Sequence, residues 1–445
     1  MFIAKSMKIL LVHACAEDIK KSFGNRLSAK LGVLPPSAIF QIAAITPKKH
    51  YIATVDDTYQ KIDFDEKYDV VGITSSTMTA PRAYKIADEF RRRGVKVVLG
   101  GWHPSALPEE AKQHADSVVI GEAEETWPQL LQDLENNRLK PFYTPEKPCE
   151  LRYISPYESY GIRFVLIPQR FQITRGCPVG CEFCSITNQT FGKTHRVMPL
   201  EDAIKTIKAI PQKALVSSDP SLTLDPEYTK ALFREMKPLN KKFACFGNVN
   251  ILNRDEELLK LASEAGCIAW SIGLESVSQI SIDDVKKRSN KVKDYASAIN
   301  KIHDYGMAVV GSFILGLDGD ALDIFDSTLN EAYDTELDEA EFFICTPFPG
   351  TPLFDRLEKE GRIFSKDWNR YDLFNVVFKP KNMTAEELAE GTKRIAKEFH
   401  SYSPLMKRVA RCMHLGFYPF IGMAEYNFST RTMYKDAFKY AFKYQ

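Results

Sequence analysis

Apolar residues along the first 136 positions come in short runs separated by amphipathic stretches. The runs Lys8–His13, Tyr51–Asp56, Asp69–Thr74, Lys96–Gly100 and Ser117–Ile120 have the length and branched content of buried strands. Between them, Pro36–Thr46, Ala80–Arg93 and Pro108–His114 carry helical spacing, and Glu124–Asn136 closes the unit. Strands alternating with helices predict a parallel sheet wound on both faces, a flavodoxin- or Rossmann-like α/β domain with ligand sites at the carboxyl ends of its strands. Residues 137–168 break the rhythm. Pro141, Pro145, Pro148, Pro156 and Pro168 punctuate them, which reads as a linker. From Phe171 the alternation returns with a longer beat. Phe171–Thr174, Ala214–Ser218, Phe243–Gly247, Ile268–Gly273, Ala308–Leu315 and Ala340–Cys345 are six strand candidates, with helices at Leu200–Ile210, Pro226–Met236, Asp255–Ala265, Lys293–Tyr305 and Ala321–Tyr333. Six such units predict a partial (β/α)6 barrel of TIM type with its chemistry at the carboxyl ends of the strands. From Ala385 the chain is helical to its end. The predicted division is therefore 1–136, 137–168, 169–384 and 385–445.

Composition changes this picture little. The 445 residues suggest about three domains at ~150 residues each. With 44% hydrophobic residues, 26% charged residues and a net charge of +1, no global field points to nucleic acid. The run Ile9–Val12 ends at His13 and reads as a buried strand rather than a signal segment, and Met307–Leu317 falls short of the ~20 residues that span a bilayer. With no export signal and scattered cysteines, the expected compartment is a reducing cytoplasm. Tyr434, Phe438 and Phe442 share one helical stripe flanked by Lys435, Lys439 and Lys443. That stripe reads first as a helix docked on the barrel with its lysines in water, and second as a peripheral contact with the inner face of a membrane.

Candidate chemistry concentrates in Arg175-Gly-Cys-Pro-Val-Gly-Cys-Glu-Phe-Cys-Ser185, directly after the first barrel strand. Cys177, Cys181 and Cys184 are spaced C-x3-C-x2-C. Three thiolates on one short loop suit a cubane iron–sulfur cluster whose fourth iron keeps no protein ligand and is open to a small chelating molecule. A zinc site would want a fourth ligand, and His195 stands at a spacing of no common zinc pattern. Such an open cluster would be oxygen-sensitive, so an anaerobic or microaerobic setting is expected. The other six cysteines are scattered and read as small buried hydrophobes.

The cysteine spacing resembles the signature of the radical S-adenosylmethionine (SAM) superfamily, and other segments extend the resemblance. Ser271-Ile-Gly-Leu-Glu-Ser276 is similar to the element that ends the fourth strand in that family beside SAM. Gly311-Ser-Phe-Ile-Leu-Gly-Leu-Asp-Gly-Asp320 is similar to the fifth-strand segment behind the adenine. Thr346-Pro-Phe-Pro-Gly-Thr-Pro-Leu353, followed by Leu357-Glu-Lys-Glu-Gly-Arg-Ile363, resembles the branch whose barrel follows a cobalamin-binding-type domain. The resemblance implies that Cys177, Cys181 and Cys184 hold a 4Fe–4S cluster. It also implies that Glu275, Ser276, Gly311 and Ser312 line SAM, the other reading of Glu275 being a structural partner for Arg288 or a lysine. Arg196 reads either as a bidentate partner of the SAM carboxylate or as a solvated charge. Asp219 and Asp318 read as helix N-caps.

In the first domain, Leu34-Pro-Pro-Ser37, Ser75-Ser-Thr-Met-Thr79, Gly100-Gly-Trp-His-Pro104 and Gly121-Glu-Ala-Glu124 occupy the places expected of that branch. The resemblance implies cobalamin beside Ser75, Ser76, Thr77, Gly100 and Gly101. The Asp-x-His-x-x-Gly pattern of a lower histidine ligand is absent, and His13 and His103 are expected to be hydrogen-bonded loop residues. The implied function is reductive cleavage of SAM to a 5′-deoxyadenosyl radical, used for cobalamin-dependent methylation of an unactivated carbon on a small molecule or lipid. A ferredoxin or flavodoxin would donate the electron. The alternative is a cobalamin-independent rearrangement, coupling or cyclisation in which the first domain is a scaffold.

Overall fold

Ile9 and Leu11 point to one face of the first strand, Leu10 and Val12 to the other, and all four are buried. A strand buried on both faces needs a layer on each side. The computed structural model, which describes residues 6–17, 37–154 and 168–444, supplies both. One layer packs the Ala80–Arg92 helix against Leu10, Val12, Val71 and Ile73. The other packs Ile39, Ala43 and Trp127 against Ile9, Leu11 and Val98.

The strands β1 (Lys8–His13), β2 (Tyr51–Asp56), β3 (Val70–Thr74), β4 (Lys96–Gly100), β5 (Ser117–Val119) and β6 (Phe142–Tyr143) form a parallel sheet ordered β2-β1-β3-β4-β5-β6. The flavodoxin-like order is present. One finding differs from the sequence reading: β6 comes from the proline-rich segment taken as a linker. Val118 and Ile120 donate backbone hydrogen bonds to Pro141 and Tyr143, so the open edge of β5 captures this short stretch. Of Leu34-Pro-Pro-Ser37 only Ser37 is described, and Pro36 and Pro156 lie outside the described residues.

The second sheet takes β7 (Gln169–Phe171), then, after β8 (Thr174–Arg175) and β9 (Arg196–Val197), β10 (Ala214–Ser217), β11 (Lys242–Phe246), β12 (Cys267–Glu275), β13 (Ala308–Leu315) and β14 (Glu339–Ile344). Its order is β14-β13-β12-β11-β10-β7, all parallel, so it curves as a partial barrel whose edge strands do not pair with each other. Phe243, Trp270 and Val309 face the helical layer. On the inner face, Ala244, Ala269, Ala308 and Val310 are small enough for Met423, from the C-terminal helix Phe417–Tyr440, to settle against them.

The expected strand Phe171–Thr174 is broken in two. The chain leaves the sheet at Phe171, and β8 pairs antiparallel with β9. Asp219 causes the departure. Its buried carboxylate accepts from the backbone N–H of Ile173 (2.9 Å) and Thr174, from the Thr174 hydroxyl (2.8 Å) and from Ser217 (2.6 Å). It brackets the entry to the cysteine loop and is not an N-cap. Asp318 is not one either: it pairs with Arg356 and Arg362. Asp219→Ala is expected to strand two buried N–H donors and destabilise the fold by about 3 kcal/mol, read as a lowered unfolding midpoint.

Tyr434 is fully buried, accepts from the Phe342 N–H (2.7 Å) and donates to its carbonyl (2.9 Å). Phe438 and Phe442 pack into the barrel core beside it. The Tyr434 stripe is thus docked on the barrel, the first of its two readings.

Candidate active site

The cysteine loop, residues 176–195, hangs between β8 and β9. Gly176 adopts φ 79°, and a Cβ there would lie 2.1 Å from the Thr194 carbonyl, so only glycine admits the crossing. The loop satisfies its own backbone. Cys177 donates its N–H to Gly192 (2.7 Å), the Thr187 hydroxyl donates to the Cys177 carbonyl (2.7 Å), and the Asn188 amide donates to the carbonyls of Cys181 (3.0 Å) and Cys184 (2.8 Å). His195 donates through Nδ1 to the Gly176 carbonyl (3.2 Å), which makes it a loop brace. With the polar backbone spoken for, the three thiols are left to bind. All nine cysteines are unbridged, and the six outside the motif are buried as expected.

The thiols feel one another's charge, and burial pushes the Cys181 thiol up to about 12. Among the described residues no three Cys, His, Asp or Glu side chains converge closely enough for a single metal ion. Three thiols on one loop fit a cubane, in which each thiolate would take a different iron. Such binding would displace the thiol protons.

Beside the loop, β12 ends at Glu275 in a left-handed conformation (φ 65°). Its carboxylate folds back over Gly273, where a Cβ would stand 2.3 Å from Oε1, and binds Lys287 Nζ at 2.7 Å. The sequence offered Arg288 or a lysine as a structural partner for Glu275 without singling out Lys287. In the fold it is largely withdrawn from solvent, its side chain 15% exposed. Burial alone would lower its pKa, but Glu275 and the Cys181 thiol outweigh that and raise it. The site thus holds a carboxylate and an ammonium side by side at the cysteines. Asn290 and Tyr295 fasten the strand end by donating to the Leu274 carbonyl.

The other expected SAM residues divide. Ser276 is buried next to Glu275. Ser312 faces the barrel interior and donates to Glu341 (2.7 Å), which also accepts from Tyr426 (2.7 Å). Burial raises the Glu341 pKa despite those two bonds. Gly311 is a correction: a Cβ there would meet Leu337 at 2.6 Å and Leu274 at 3.0 Å, so it serves core packing. Arg196 is another. Its guanidinium grips Glu122 bidentately (2.6 and 2.9 Å) and donates to the Cys149 carbonyl, leaving no free fork for a SAM carboxylate.

That grip belongs to a joint between the first sheet and the β8–β9 pair that carries the cysteine loop. Arg175, two residues before Cys177, pairs with Glu124 at 2.6 Å, and Glu122 lies 3.6 Å from Arg175. Burial would raise the Glu122 pKa, but hydrogen bonds from Arg196 and Cys149 and the charge of Arg175 bring it down to about 2. A carboxylate with a depressed folded pKa stabilises the fold above its unfolded value and loses that contribution as pH falls toward the folded one. The window runs from 4.5 down to about 2. At ~1.4 kcal/mol per pH unit this is about 3 kcal/mol. Glu122→Gln is expected to flatten the acid limb of the stability curve in that window, measured by thermal unfolding across pH.

Above the joint lies a cavity of about 350 Å³ at the carboxyl ends of β1, β3, β4 and β5. Leu11, Ile39, Val98 and Trp127 make its floor apolar, Gly100 and Gly101 leave its wall bare, and Gly176, Gln189 and Thr190 of the cysteine loop close it. The Gln189 amide donates to the Trp102 carbonyl (3.1 Å), tying loop to sheet. The buried Ser75 hydroxyl has no partner among the described residues, an orphan donor at the end of β3. Ser76 is occupied in capping: its N–H bonds the Thr79 hydroxyl (3.0 Å). Thr77 is buried beside it. An apolar slot with a glycine wall and polar rim fits the nucleotide tail of a corrinoid. His103 bonds Glu110 (3.1 Å) as expected, but from the short helix Trp102–Ala106 rather than a loop, whereas His13, at the end of β1, has no partner at Nδ1 among the described residues.

Residues 171–332 match the radical SAM superfamily, residues 35–131 the B12 binding domain, and residues 351–422 a domain of unknown function (DUF4070). The chain is 30% identical over 388 residues to a bacteriochlorophyllide d C-12(1)-methyltransferase of Chlorobaculum tepidum, covering 84% of each. It is 33% identical over 365 residues to the C-8(2)-methyltransferase of the same organism, covering 77% of this chain and 80% of that one. The fold resembles that of the cobalamin-dependent SAM radical enzyme OxsB with aqua-cobalamin and SAM bound. The TM-score is 0.70 at 13% identity, over 98% of this chain and 73% of that one.

Proposed function

The chain belongs to the radical SAM enzymes that carry a B12-binding domain, and on that basis we propose that it methylates an unactivated carbon of an amphiphilic small molecule with cobalamin as methyl carrier. The observation that carries the reading is the cavity shared by the glycine wall of the first sheet and the cysteine loop. Because loop residues beside the cysteines line that cavity, it supports bringing a corrinoid next to the cluster loop, as a methyl relay requires.

When bound, the cluster supplies the electron that cleaves SAM, and cobalamin carries the methyl group. The chain's own residues do the rest. Cys177, Cys181 and Cys184 would each hold one iron of the cluster. Glu275 and Lys287 would offer opposite charges for the amine and carboxylate of SAM, and Ser276 a hydroxyl. Ser75, Gly100 and Gly101 would take the corrinoid tail, while Glu122, Glu124, Arg175 and Arg196 fix the β8–β9 base of the cysteine loop to the first sheet. The Ser312–Glu341–Tyr426 array offers the substrate side of the barrel a carboxyl group that holds its proton more tightly than usual.

A tetrapyrrole is the first substrate class, on the substrates named for the two relatives, and a membrane lipid the second. Residues 1–136 and 169–384 act as the two cofactor domains. The setting is an anaerobic cytoplasm, with a ferredoxin or flavodoxin as donor and a peripheral contact at the inner face of the membrane. The test is anaerobic reconstitution with iron, sulfide and hydroxocobalamin, desalting, and a visible spectrum. Stoichiometric corrinoid bands, followed by gain of one methyl mass on a supplied chlorophyllide, are expected. Iron–sulfur absorption alone would overturn the methyl relay in favour of rearrangement, coupling or cyclisation.

A further inference from the structure

Burying the tail's Tyr434 stripe leaves another surface uncovered. The helices Tyr402–Arg411 and Phe417–Tyr440 form a hairpin, joined through Cys412–Leu415 and Gly416. Leu405, Arg408 and Val409 of the first helix and Met423, Asn427 and Tyr434 of the second turn inward, and Arg408 locks the pair by donating to Asn427 (2.9 Å). On the outward faces, Tyr402, Met406, Ala410 and Met413 recur every three or four residues, and so do Phe417, Ile421, Ala424 and Phe428. These spacings put each set on one stripe. Six of the eight are large and exposed, led by Phe417 at 71% and Tyr402 at 64%.

Two adjacent apolar stripes on one hairpin exceed the scattered exposed apolar residues of an ordinary surface. Their charge surroundings decide the occupant. On the two helices Lys407, Lys435 and Lys439 are exposed, against Glu425 as the one exposed acidic residue. Lys407 is exposed next to Met406, and Lys435 continues the Phe428 stripe two turns on. Arg431 stacks 3.8 Å over the Tyr402 ring, bringing a cation between the stripes. A second copy of the chain would meet like charge here, whereas an anionic lipid surface would meet opposite charge and take the aromatic and methionine side chains into its interface. Among the described residues no helix is long and apolar enough to cross a bilayer, so the contact lies in the interface plane.

We infer that the Tyr402–Tyr440 hairpin is an anionic-membrane docking surface. It gives the peripheral contact proposed above its location, and it does not depend on methyl transfer, because binding is read without turnover.

The test is flotation of the full-length, cluster-loaded protein with vesicles of phosphatidylcholine alone or with phosphatidylglycerol added. Binding is expected with the anionic vesicles and to weaken with salt. Phe417→Asp/Ile421→Asp and Lys407→Glu/Lys435→Glu are each expected to lower it by about tenfold or more. All four side chains are exposed, and unchanged cluster absorption and unfolding midpoint certify the fold. Equal binding to neutral vesicles, no binding to either, or no effect of the variants would overturn the inference. So would a dimer in size-exclusion chromatography that Phe417→Asp/Ile421→Asp dissolves, since the stripes would then cover each other.

Discussion

Cys181→Ala is expected to abolish reductive cleavage of SAM, with 5′-deoxyadenosine falling by more than the ~10–100-fold typical of losing an outer-shell partner. The reason lies in the loop's division of labour. Its carbonyls are already held by Thr187 and Asn188, and Glu182 anchors it by donating its N–H to Val285 (3.0 Å) and pairing with Lys286 (2.7 Å). Removing one thiol therefore takes away an iron ligand without collapsing the loop. The variant should remain folded, carry less iron and lose its SAM-dependent signal together. Wild-type production of 5′-deoxyadenosine by Cys181→Ala would overturn the cluster assignment.

The second large effect is expected at Lys287. Replacing it with Met would leave the Glu275 carboxylate buried beside the cysteines without its cation. Breaking a buried pair by removing one partner costs about 3–5 kcal/mol. The double variant Lys287→Met/Glu275→Gln should recover much of that stability, because the orphaned charge is gone. It should not recover SAM cleavage if both groups hold SAM. Comparing the two variants by unfolding midpoint and by SAM affinity separates the structural part of the pair from its binding part. A double variant that binds SAM like the wild type would reduce Glu275–Lys287 to a structural pair.

Much of this molecule is legible along the chain. The cysteine motif needs only its spacing, since three thiols on one loop stay together whatever surrounds them. The ten main strands of the two sheets also declare themselves, because strands buried on both faces must be nearly continuous apolar runs. Even so, β6 was hidden, being two residues whose only reason to be a strand is the edge of β5.

Side-chain pairing was less legible. Glu122 and Glu124 were read as part of a cofactor loop, and Arg196 as a SAM ligand. In the fold they are each other's partners or Arg175's, 74 positions apart in the case of Arg196 and Glu122. Glu275 had a lysine or Arg288 as its alternative partner, and only the path of the chain after β12 singles out Lys287. Gly311 looked like a cofactor glycine, but the alternation of β13 turns its bare side toward Leu337.

The tail shows the same limit most plainly. Helical spacing marked Tyr434, Phe438 and Phe442 as one stripe, and so it is. Periodicity says which residues share a face but not which face meets a neighbour. The inner wall of the barrel, lined by Ala244, Ala269 and Ala308, chose the buried side of the C-terminal helix, and the opposite stripe of Phe417, Ile421 and Phe428 was left outside. By itself the sequence determined the two sheets, their order of appearance and the cluster loop, since local spacing and burial on both faces are enough for each. Only the tertiary structure decided which charges pair, which glycines serve packing and which helix face remains free, because each depends on residues that the chain brings together from far apart.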